Sequence, residues 1–372
     1  MASLYNVTDI LTHMNASDDV ENFTSTTPGK FHGRLGYGEL ELYTEFWVAF
    51  YLNRYYLRIL CGVGVVCNVA VFLTMYAIKP FTTSSFYVSF LAVVDALALI
   101  TKLLYIELTR KLSLGDAGCK FMLFFGNFTV QYANWVLVIM TLERFVAVWF
   151  PLKVNRISTM NKAKVTLFVT ALLLTAFNLH FLWTFQGQPR CRPKPEYAKF
   201  MATVWPWLDG LVFGIAPCVL LIVPNGLIIY SLRRAVAAQK TMTSGTENGA
   251  QSRYHHQTQL TAMLVTVAVA FVCCLLPGSI FSIVKPYWDY KQSVHQTAQY
   301  QLINQLMFFL ADCNHALNFF FFFLGGKRFR QMFIDVICCR RTAQKQKKFQ
   351  STYVSQLSVT TPSSSHLSVS TN

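Results

Sequence analysis

Ionisable and amide side chains recur inside otherwise apolar stretches of this chain, where contact with lipid is unfavourable. Asp95 and Lys102 are seven residues apart, two turns of a helix, so both lie on one helix face. Asn127 and Gln131 are four residues apart and also share a face. A charge at the centre of a bilayer costs roughly 2.5 to 3.5 kcal/mol, so such residues usually mark functional sites. The sequence therefore predicts a polar interior that binds a ligand.

Asp209 and Asp312 add two carboxylates to the apolar stretches. Asp209 has no basic neighbour in its own stretch and is our favoured ligand contact. The full set of candidate ligand-binding residues is Lys102, Asn127, Gln131, Asp209 and Asp312. For Lys102 and Asp312, a salt bridge between two helices is the alternative. An enzyme is not predicted, because no paired carboxylates and no Ser–His set converge at helical spacing, and we expect no metal or cofactor.

Seven apolar stretches must position these groups. Hydrophobic residues make up 53% of the 372 and charged residues 13%, too little polar surface for a soluble globule of this size. Each stretch holds the roughly 20 residues that a helix needs to cross a bilayer. Spans one to seven are predicted at residues 48–77, 83–109, 116–149, 162–184, 201–235, 256–285 and 299–324. We predict an all-α membrane protein, with a seven-transmembrane helix bundle over residues 46–325.

The net charge of +15 is unevenly distributed. Basic residues concentrate in alternate loops and after span seven, which the positive-inside rule places in the cytoplasm, and this pattern argues against nucleic acid as a partner. The charged residues within 1–45 are mostly acidic, and this segment carries glycosylation sequons at Asn6, Asn15 and Asn22, so we expect it to be extracellular. No secretion signal precedes residue 45, and span one is expected to serve as its own signal anchor in the plasma membrane.

The ten cysteines differ in location. Cys119 begins span three on the outer side and Cys191 lies in the outer loop before span five, where oxidation is permitted, so we predict a disulfide between them. Cys338 and Cys339 end a short amphipathic eighth helix, residues 326–339, that is expected to lie on membrane lipid. They are predicted palmitoylation sites, and two unmodified thiols are the alternative.

Several residues match the motifs of one protein family in order and spacing. Arg144 follows Cys119 by 25 residues, and Glu143-Arg144-Phe145 resembles that family's Asp-Arg-Tyr triplet. The series continues with Asn68, Asp95, Pro217, Phe271, Pro277, Asn314 and Asn318. On these residues the chain resembles the rhodopsin-like (class A) G-protein-coupled receptors over nearly its whole length. The resemblance implies a heterotrimeric G protein and an arrestin-like protein as partners.

Glu143 and Arg144 are the predicted switch at the inner end of span three. An arginine is too costly to face lipid, so Arg144 should turn inward and be neutralised by Glu143 in a resting state. The alternative is an interfacial ion pair that merely reaches the headgroups. Pro217 and Pro277 each remove a backbone hydrogen bond, and we interpret them as hinges, with kinks of no function as the alternative.

Departures from the family pattern bear on activation. Leu275 replaces the usual tryptophan of span six, and Asn225 and Phe322 replace tyrosines of spans five and seven. Phe319 replaces the usual proline of span seven, so we expect that span to lose its kink. An active state must then be held by other contacts, or signalling is weak.

The family's sodium pocket is altered as well. A central polar network is retained at Asn68, Asp95, Asn314 and Asn318, while Ala133 replaces a hydroxyl residue and His315 replaces a serine. We hypothesise that His315 takes the place of the ion and titrates with Asp95 as a pair. A neutral, structural histidine is the alternative.

The ligand is predicted to be an extracellular peptide. Gly126, and not an aspartate, occupies the part of span three where amine receptors anchor their cation, and Asp312 stands where visual receptors carry their retinal lysine. The basic loop around Cys191 and residues 217–232 most resemble invertebrate neuropeptide receptors of the FMRFamide and myosuppressin kind. In such a receptor an acidic pocket residue such as Asp209 or Glu107 would pair with a peptide arginine. A non-signalling or chemosensory seven-helix receptor with a small-molecule ligand is the alternative.

Ser and Thr residues crowd the end of the chain. We predict that residues 340–372 form a disordered cytoplasmic tail. Phosphorylation of this tail would make it acidic, so that it recruits the arrestin-like partner. Plain disorder without regulation is the alternative.

Overall fold

The computed structural model describes residues 37–78, 81–111, 114–150, 154–187, 191–242 and 248–337. The sequons at Asn6, Asn15 and Asn22, the thiols of Cys338 and Cys339, and the tail to residue 372 lie outside the described residues. Glycosylation, palmitoylation and tail phosphorylation therefore stay predictions.

Within these described ranges, six helices are long and apolar enough to cross a membrane, and one bent pair makes a seventh span. Spans one to four are the helices Thr44–Ala77, Thr83–Lys111, Gly115–Trp149 and Met160–Asn178. Span five consists of Ala198–Thr203, Trp205–Gly210, Leu211–Ile215 and Ala216–Met242. Span six is Asn248–Val284, and span seven is Val294–Ala316 followed by Asn318–Gly325. The predicted seven-helix membrane bundle is confirmed.

Shorter elements connect the spans. The α-helical ones are Tyr37–Leu40, Val154–Ile157 and Phe181–Thr184, and the 3-10 ones are Pro195–Tyr197, Lys285–Tyr287 and Tyr290–Gln292. Strands Phe185–Gln186 and Arg192–Pro193 pair antiparallel and form what we call the outer hairpin. We call the end of the bundle that carries this hairpin the outer end and the end that carries Arg144 the inner end.

Span three is the centre of the bundle. It packs against spans two, four and five, while span seven packs against spans one, two and six. Val136, Leu221 and Phe271, from spans three, five and six, are fully buried in the shared core. Spans one and four instead expose apolar side chains such as Val66 and Phe168, as expected for faces that meet lipid. Since lipid is as apolar as these side chains, close packing and polar contacts must hold the spans together.

Span five is interrupted by a π-helical segment, Leu211–Ile215, just before Pro217. Proline has no N–H, so the carbonyl of Phe213, four residues earlier, lacks its usual donor. Asn134 of span three supplies one, because its Nδ2 donates to that carbonyl at 3.0 Å. Trp135 Nε1 donates to the neighbouring carbonyl of Val212 at 3.1 Å. The irregular backbone of span five is therefore satisfied by side chains of span three.

Span seven is bent by 51° at Leu317, so our expectation that it loses its kink was wrong. The bend arises without proline. Asn68 Nδ2 donates at 2.9 Å to the carbonyl of His315, which in a regular helix would accept from the N–H of Phe319. A side chain that enters the backbone ladder in this way bends a helix.

The amphipathic eighth helix is Lys327–Ile337. Its buried Phe329 packs against Phe319 and Phe322 of span seven, with ring centroids 5.9 and 6.1 Å apart. Arg330 Nη1 donates to the carbonyls of Phe323 and Leu324 at 3.0 and 2.7 Å, which satisfies the end of span seven. The turn between the two helices is thereby fixed.

Candidate functional site

The outer hairpin is tethered across the outer end of the bundle. Cys119 of span three and Cys191 form a disulfide with their Cα atoms 5.5 Å apart, as predicted. Gly187 N donates to Asp116 Oδ1 at 3.0 Å, and Asp116 also pairs with Lys120 one turn along span three. Closing a loop of 72 residues restricts the unfolded chain, and these contacts fix the hairpin at the mouth.

A cavity of about 600 Å³ opens beneath the hairpin. Phe185 and Pro193 of the hairpin, Met201 of span five, Tyr300 of span seven and Lys285, which follows span six, contribute to its wall. The described residues that line it do not include any of the five ligand contacts predicted from the sequence. Four of the five form two buried pairs elsewhere, Lys102 with Asp312 and Gln131 with Asp209.

Lys102 and Asp312 form a buried salt bridge between spans two and seven. Lys102 Nζ lies 2.6 Å from both carboxylate oxygens, and Tyr56 of span one donates its hydroxyl to Asp312 Oδ2 at 2.9 Å. Both charged residues line a separate cavity of only about 40 Å³. The structure thus has the salt bridge that the sequence analysis gave as the alternative to ligand binding for Lys102 and Asp312. Tyr56 is a further partner of Asp312 that the sequence did not reveal.

Gln131 and Asp209 lie at a junction of spans three, four and five. Gln131 Nε2 donates to Asp209 Oδ1 at 3.0 Å, and Asn178 Nδ2 donates to Gln131 Oε1 at 2.6 Å. Asn127 Nδ2 bonds within its own helix, to the carbonyl of Leu123 at 2.6 Å. All four polar residues are buried. Asp209 is thus engaged between spans, and its role as a ligand contact stays a prediction.

Lys285 is the buried charged residue in the described lining of the large cavity, and sequence reasoning missed it. It follows directly on span six, where a basic residue at a helix end gave no signal of its own. Its side chain is nevertheless buried, and the carboxylate of Asp209 is close enough to interact with it electrostatically.

The central polar network surrounds Asp95 of span two. His315 Nδ1 lies 2.7 Å from Asp95 Oδ1, and Asn318 Nδ2 donates to Asp95 Oδ2 at 2.7 Å. Asn314 Nδ2 lies 3.5 Å from Asn134 Oδ1, a long and weak polar contact. Span seven thus contacts spans two and three through three polar residues in five positions, 314 to 318.

These residues do not fit the sodium ion that the family resemblance implies. A cation would need the carboxylate oxygens of Asp95 as ligands, but ring and amide nitrogens already occupy hydrogen-bonding positions at both. The imidazole of His315 is itself almost completely buried and fills the space beside the carboxylate. We therefore expect this network to be held without an ion.

Glu143 at the inner end contacts both a cation and a hydroxyl. Arg144 Nε lies 3.3 Å from Glu143 Oε2, and Ser158 Oγ donates to Glu143 Oε1 at 2.5 Å. Ser158 belongs to the loop between spans three and four and was not singled out from the sequence. Phe145 packs against Trp149, with ring centroids 5.6 Å apart.

The positions of the missing tyrosines carry an amide and a phenyl ring, and neither has a hydroxyl group. Phe322 is buried against the eighth helix, and Asn225 Nδ2 donates to the carbonyl of Leu221 in its own helix at 2.8 Å. Phe271 is fully buried in span six, and the helix continues through Pro277. The roles of these residues and of Pro217 in activation stay predictions.

Comparison with known proteins agrees with this architecture. Residues 67–322 match the family described as 7 transmembrane receptor (rhodopsin family). A probable G-protein coupled receptor of Caenorhabditis elegans is 20% identical over 310 residues, which cover 77% of this chain and 70% of the relative. A bombesin receptor of Bombina orientalis is 23% identical over 300 residues, 76% of this chain and 75% of the relative.

The chain belongs to the rhodopsin family of seven-transmembrane receptors. It is a multi-pass membrane protein and a receptor, not an enzyme.

The salt bridge between spans two and seven predicts strong coupling of its two charges. Lys102→Met or Asp312→Asn alone should each lower the free energy of unfolding by about 3 to 5 kcal/mol, because each leaves one buried charge uncompensated. The double variant should be more stable than either single variant. Thermal melting of the purified receptor checks this, with Lys199→Met as an exposed control, and additive losses in the double variant would contradict it.

The geometry around Asp95 predicts indifference to sodium. The melting temperature should be equal in sodium chloride and choline chloride at the same ionic strength. The His315→Ser variant should be stabilised specifically by sodium, because the substitution frees one carboxylate oxygen of Asp95. At a sodium concentration ten times the dissociation constant, its free energy of unfolding should rise by about 1.4 kcal/mol. His295→Ser, at an exposed site, is the control. Sodium-specific stabilisation of the unsubstituted receptor would show that His315 does not exclude the ion.

Proposed function

We propose that this receptor binds an extracellular peptide in the outer cavity and activates a heterotrimeric G protein at its inner end. The observation that carries the proposal is the cavity of about 600 Å³, framed by the outer hairpin and the loop between spans six and seven. A volume in this range accommodates a drug-sized ligand or the terminal side chains of a peptide. Span three connects this end of the molecule to Arg144, over about 37 Å of helix from Cys119.

The chemical class of the ligand is supported by two resemblances of the sequence. One relative is a bombesin receptor, a receptor for a peptide. Residues 217–232 and the basic outer loop resemble the FMRFamide and myosuppressin receptors, so amidated neuropeptides are the first class to test. We place the receptor in the plasma membrane with residues 1–45 outside and residues 340–372 inside, where an arrestin-like protein would bind.

The inner end is proposed to rest in an inactive state. Glu143 holds Arg144 by an ion pair, and Ser158 holds the same carboxylate from the neighbouring loop. Breaking these contacts would release a guanidinium whose donors a cytoplasmic partner can use. Because Asn225 and Phe322 carry no phenol hydroxyl, contacts other than a pair of tyrosines must hold the active state.

A second candidate is a seven-helix decoy that binds a ligand without signalling. The same two residues favour it, since the inner core of spans five and seven lacks hydroxyl groups at those positions. Decoy and signalling receptor differ in one measurable property, the exchange of guanine nucleotide on the G protein.

Guanine-nucleotide exchange on purified heterotrimers, with the receptor in lipid nanodiscs, tests the proposal. Glu143→Gln should raise exchange without ligand about fivefold, the effect of removing a partly exposed ion pair worth about 1 kcal/mol. Arg144→Gln should abolish exchange, and Glu196→Gln, at the exposed outer end, should behave like the unsubstituted receptor. A library of amidated and free-acid peptides should contain at least one activator.

Two results together would contradict signalling and favour the decoy. The first is that Glu143→Gln leaves exchange at the level of empty nanodiscs with every G-protein class. The second is that peptides which bind the receptor raise exchange in no case.

A further inference from the structure

Lys285 places a buried ammonium group without a hydrogen bond in the wall of the outer cavity. Its side chain is only 8% exposed, and Nζ has no hydrogen-bond partner among the residues that the structure describes. Span six ends at Val284, and Pro286 prevents the helix from continuing, so the backbone turns and leaves Lys285 against the cavity. An ammonium buried without an acceptor is unfavourable, which points to a binding role.

Explanations within the protein do not supply the missing acceptor. A lysine at a helix end usually extends toward water or headgroups, but this side chain is more than nine-tenths buried. The carboxyl end of span six provides a favourable field without a hydrogen bond. Asp209 interacts with the ammonium electrostatically, yet its Oδ1 accepts from Gln131 and it forms no hydrogen bond to Nζ.

The other charges of the cavity leave it positive. Lys285, Asp289 and Lys291 are its charged lining residues in the described part of the chain. Asp289 Oδ2 accepts from Gln292 Nε2 at 3.1 Å, and Lys291 Nζ lies 5.9 Å from the ring centroid of Tyr290. Both therefore have contacts of their own, whereas the ammonium of Lys285 is available.

Aromatic side chains hold this part of the wall in place. Tyr290 stacks on Tyr300 with ring centroids 3.8 Å apart, and Trp288 meets the edge of the same ring at 5.8 Å. Phe181 and Phe185 line the cavity as well. The site thus combines one buried cation with a firm, largely aromatic surface.

We propose that Lys285 binds a carboxylate of the ligand, either an acidic side chain or a free carboxyl terminus, attached to an aromatic or aliphatic group. The inference rests on the proposed ligand function of the same cavity and names the group by which the ligand is anchored. An ammonium and a carboxylate form a charge-assisted hydrogen bond, and burial strengthens it. A neutral amide of the same shape accepts only an ordinary hydrogen bond.

A matched pair of fragments tests the proposal without knowledge of the natural ligand. Binding of 3-phenylpropanoate and of 3-phenylpropanamide to the full-length receptor in nanodiscs is measured by saturation-transfer NMR. We expect the acid to bind at least tenfold more tightly than the amide. Lys285→Met should remove this preference, and Lys285→Arg should retain it. Lys199→Met removes an exposed outer charge and is the control for a general electrostatic effect.

Three outcomes would overturn the proposal. They are equal binding of acid and amide to the unsubstituted receptor, no binding of either, and an undiminished preference in folded Lys285→Met. The preference of the unsubstituted receptor needs no variant, so a misfolded Lys285→Met leaves the test intact. A receptor that prefers the acid but never promotes nucleotide exchange would refute the proposed signalling and support this site.

Discussion

Buried polar contacts between spans two and seven are the constraint on which the rest of the bundle depends. Lys102 pairs with Asp312 in the outer half, and two turns further in Asp95 meets His315 and Asn318. In lipid no hydrophobic force brings apolar helices together, and an unpaired charge is strongly unfavourable. These contacts therefore fix the rotation and the height of span seven against span two. We call this set of contacts between spans two and seven the seam. Asn68 joins the seam from span one and bends span seven at Leu317.

The seam also determines which charges remain for a ligand. Lys102 and Asp312 neutralise each other, and Gln131 holds Asp209 beside span three. The large outer cavity is left with Lys285, a buried cation whose Nζ has no hydrogen-bond partner among the residues described. At the inner end, Glu143 pairs with Arg144, and Ser158 donates to the same carboxylate. The proposed ligand-binding end and the proposed G-protein end are thus separate sites on the same helix bundle.

Features that depend on local sequence were predictable. Apolar length gave the seven spans, the amphipathic pattern gave the eighth helix, and the outer position of two thiols gave the Cys119–Cys191 bridge. The bend of span seven was not predictable from Phe319, because its cause is a hydrogen bond from Asn68, 247 residues away. Lys285 was missed for a similar reason, since burial at a helix end depends on packing by distant loops. Asp209 has no basic neighbour in its own apolar stretch, but Gln131 of span three donates a hydrogen bond to it.

The most direct test of the central claim is a distance measurement across the seam in a lipid bilayer. Solid-state NMR on receptor labelled with ¹⁵N at lysine Nζ and ¹³C at the aspartate carboxyl carbon detects short ammonium–carboxylate contacts, and Lys102→Gln identifies the signal of Lys102. We expect one strongly dephased lysine signal of the unsubstituted receptor to be absent from the spectrum of the variant, because Lys102 Nζ lies 2.6 Å from the carboxylate of Asp312. Identical dephasing in both samples would show that the two charges do not meet, and the proposed seam would be wrong.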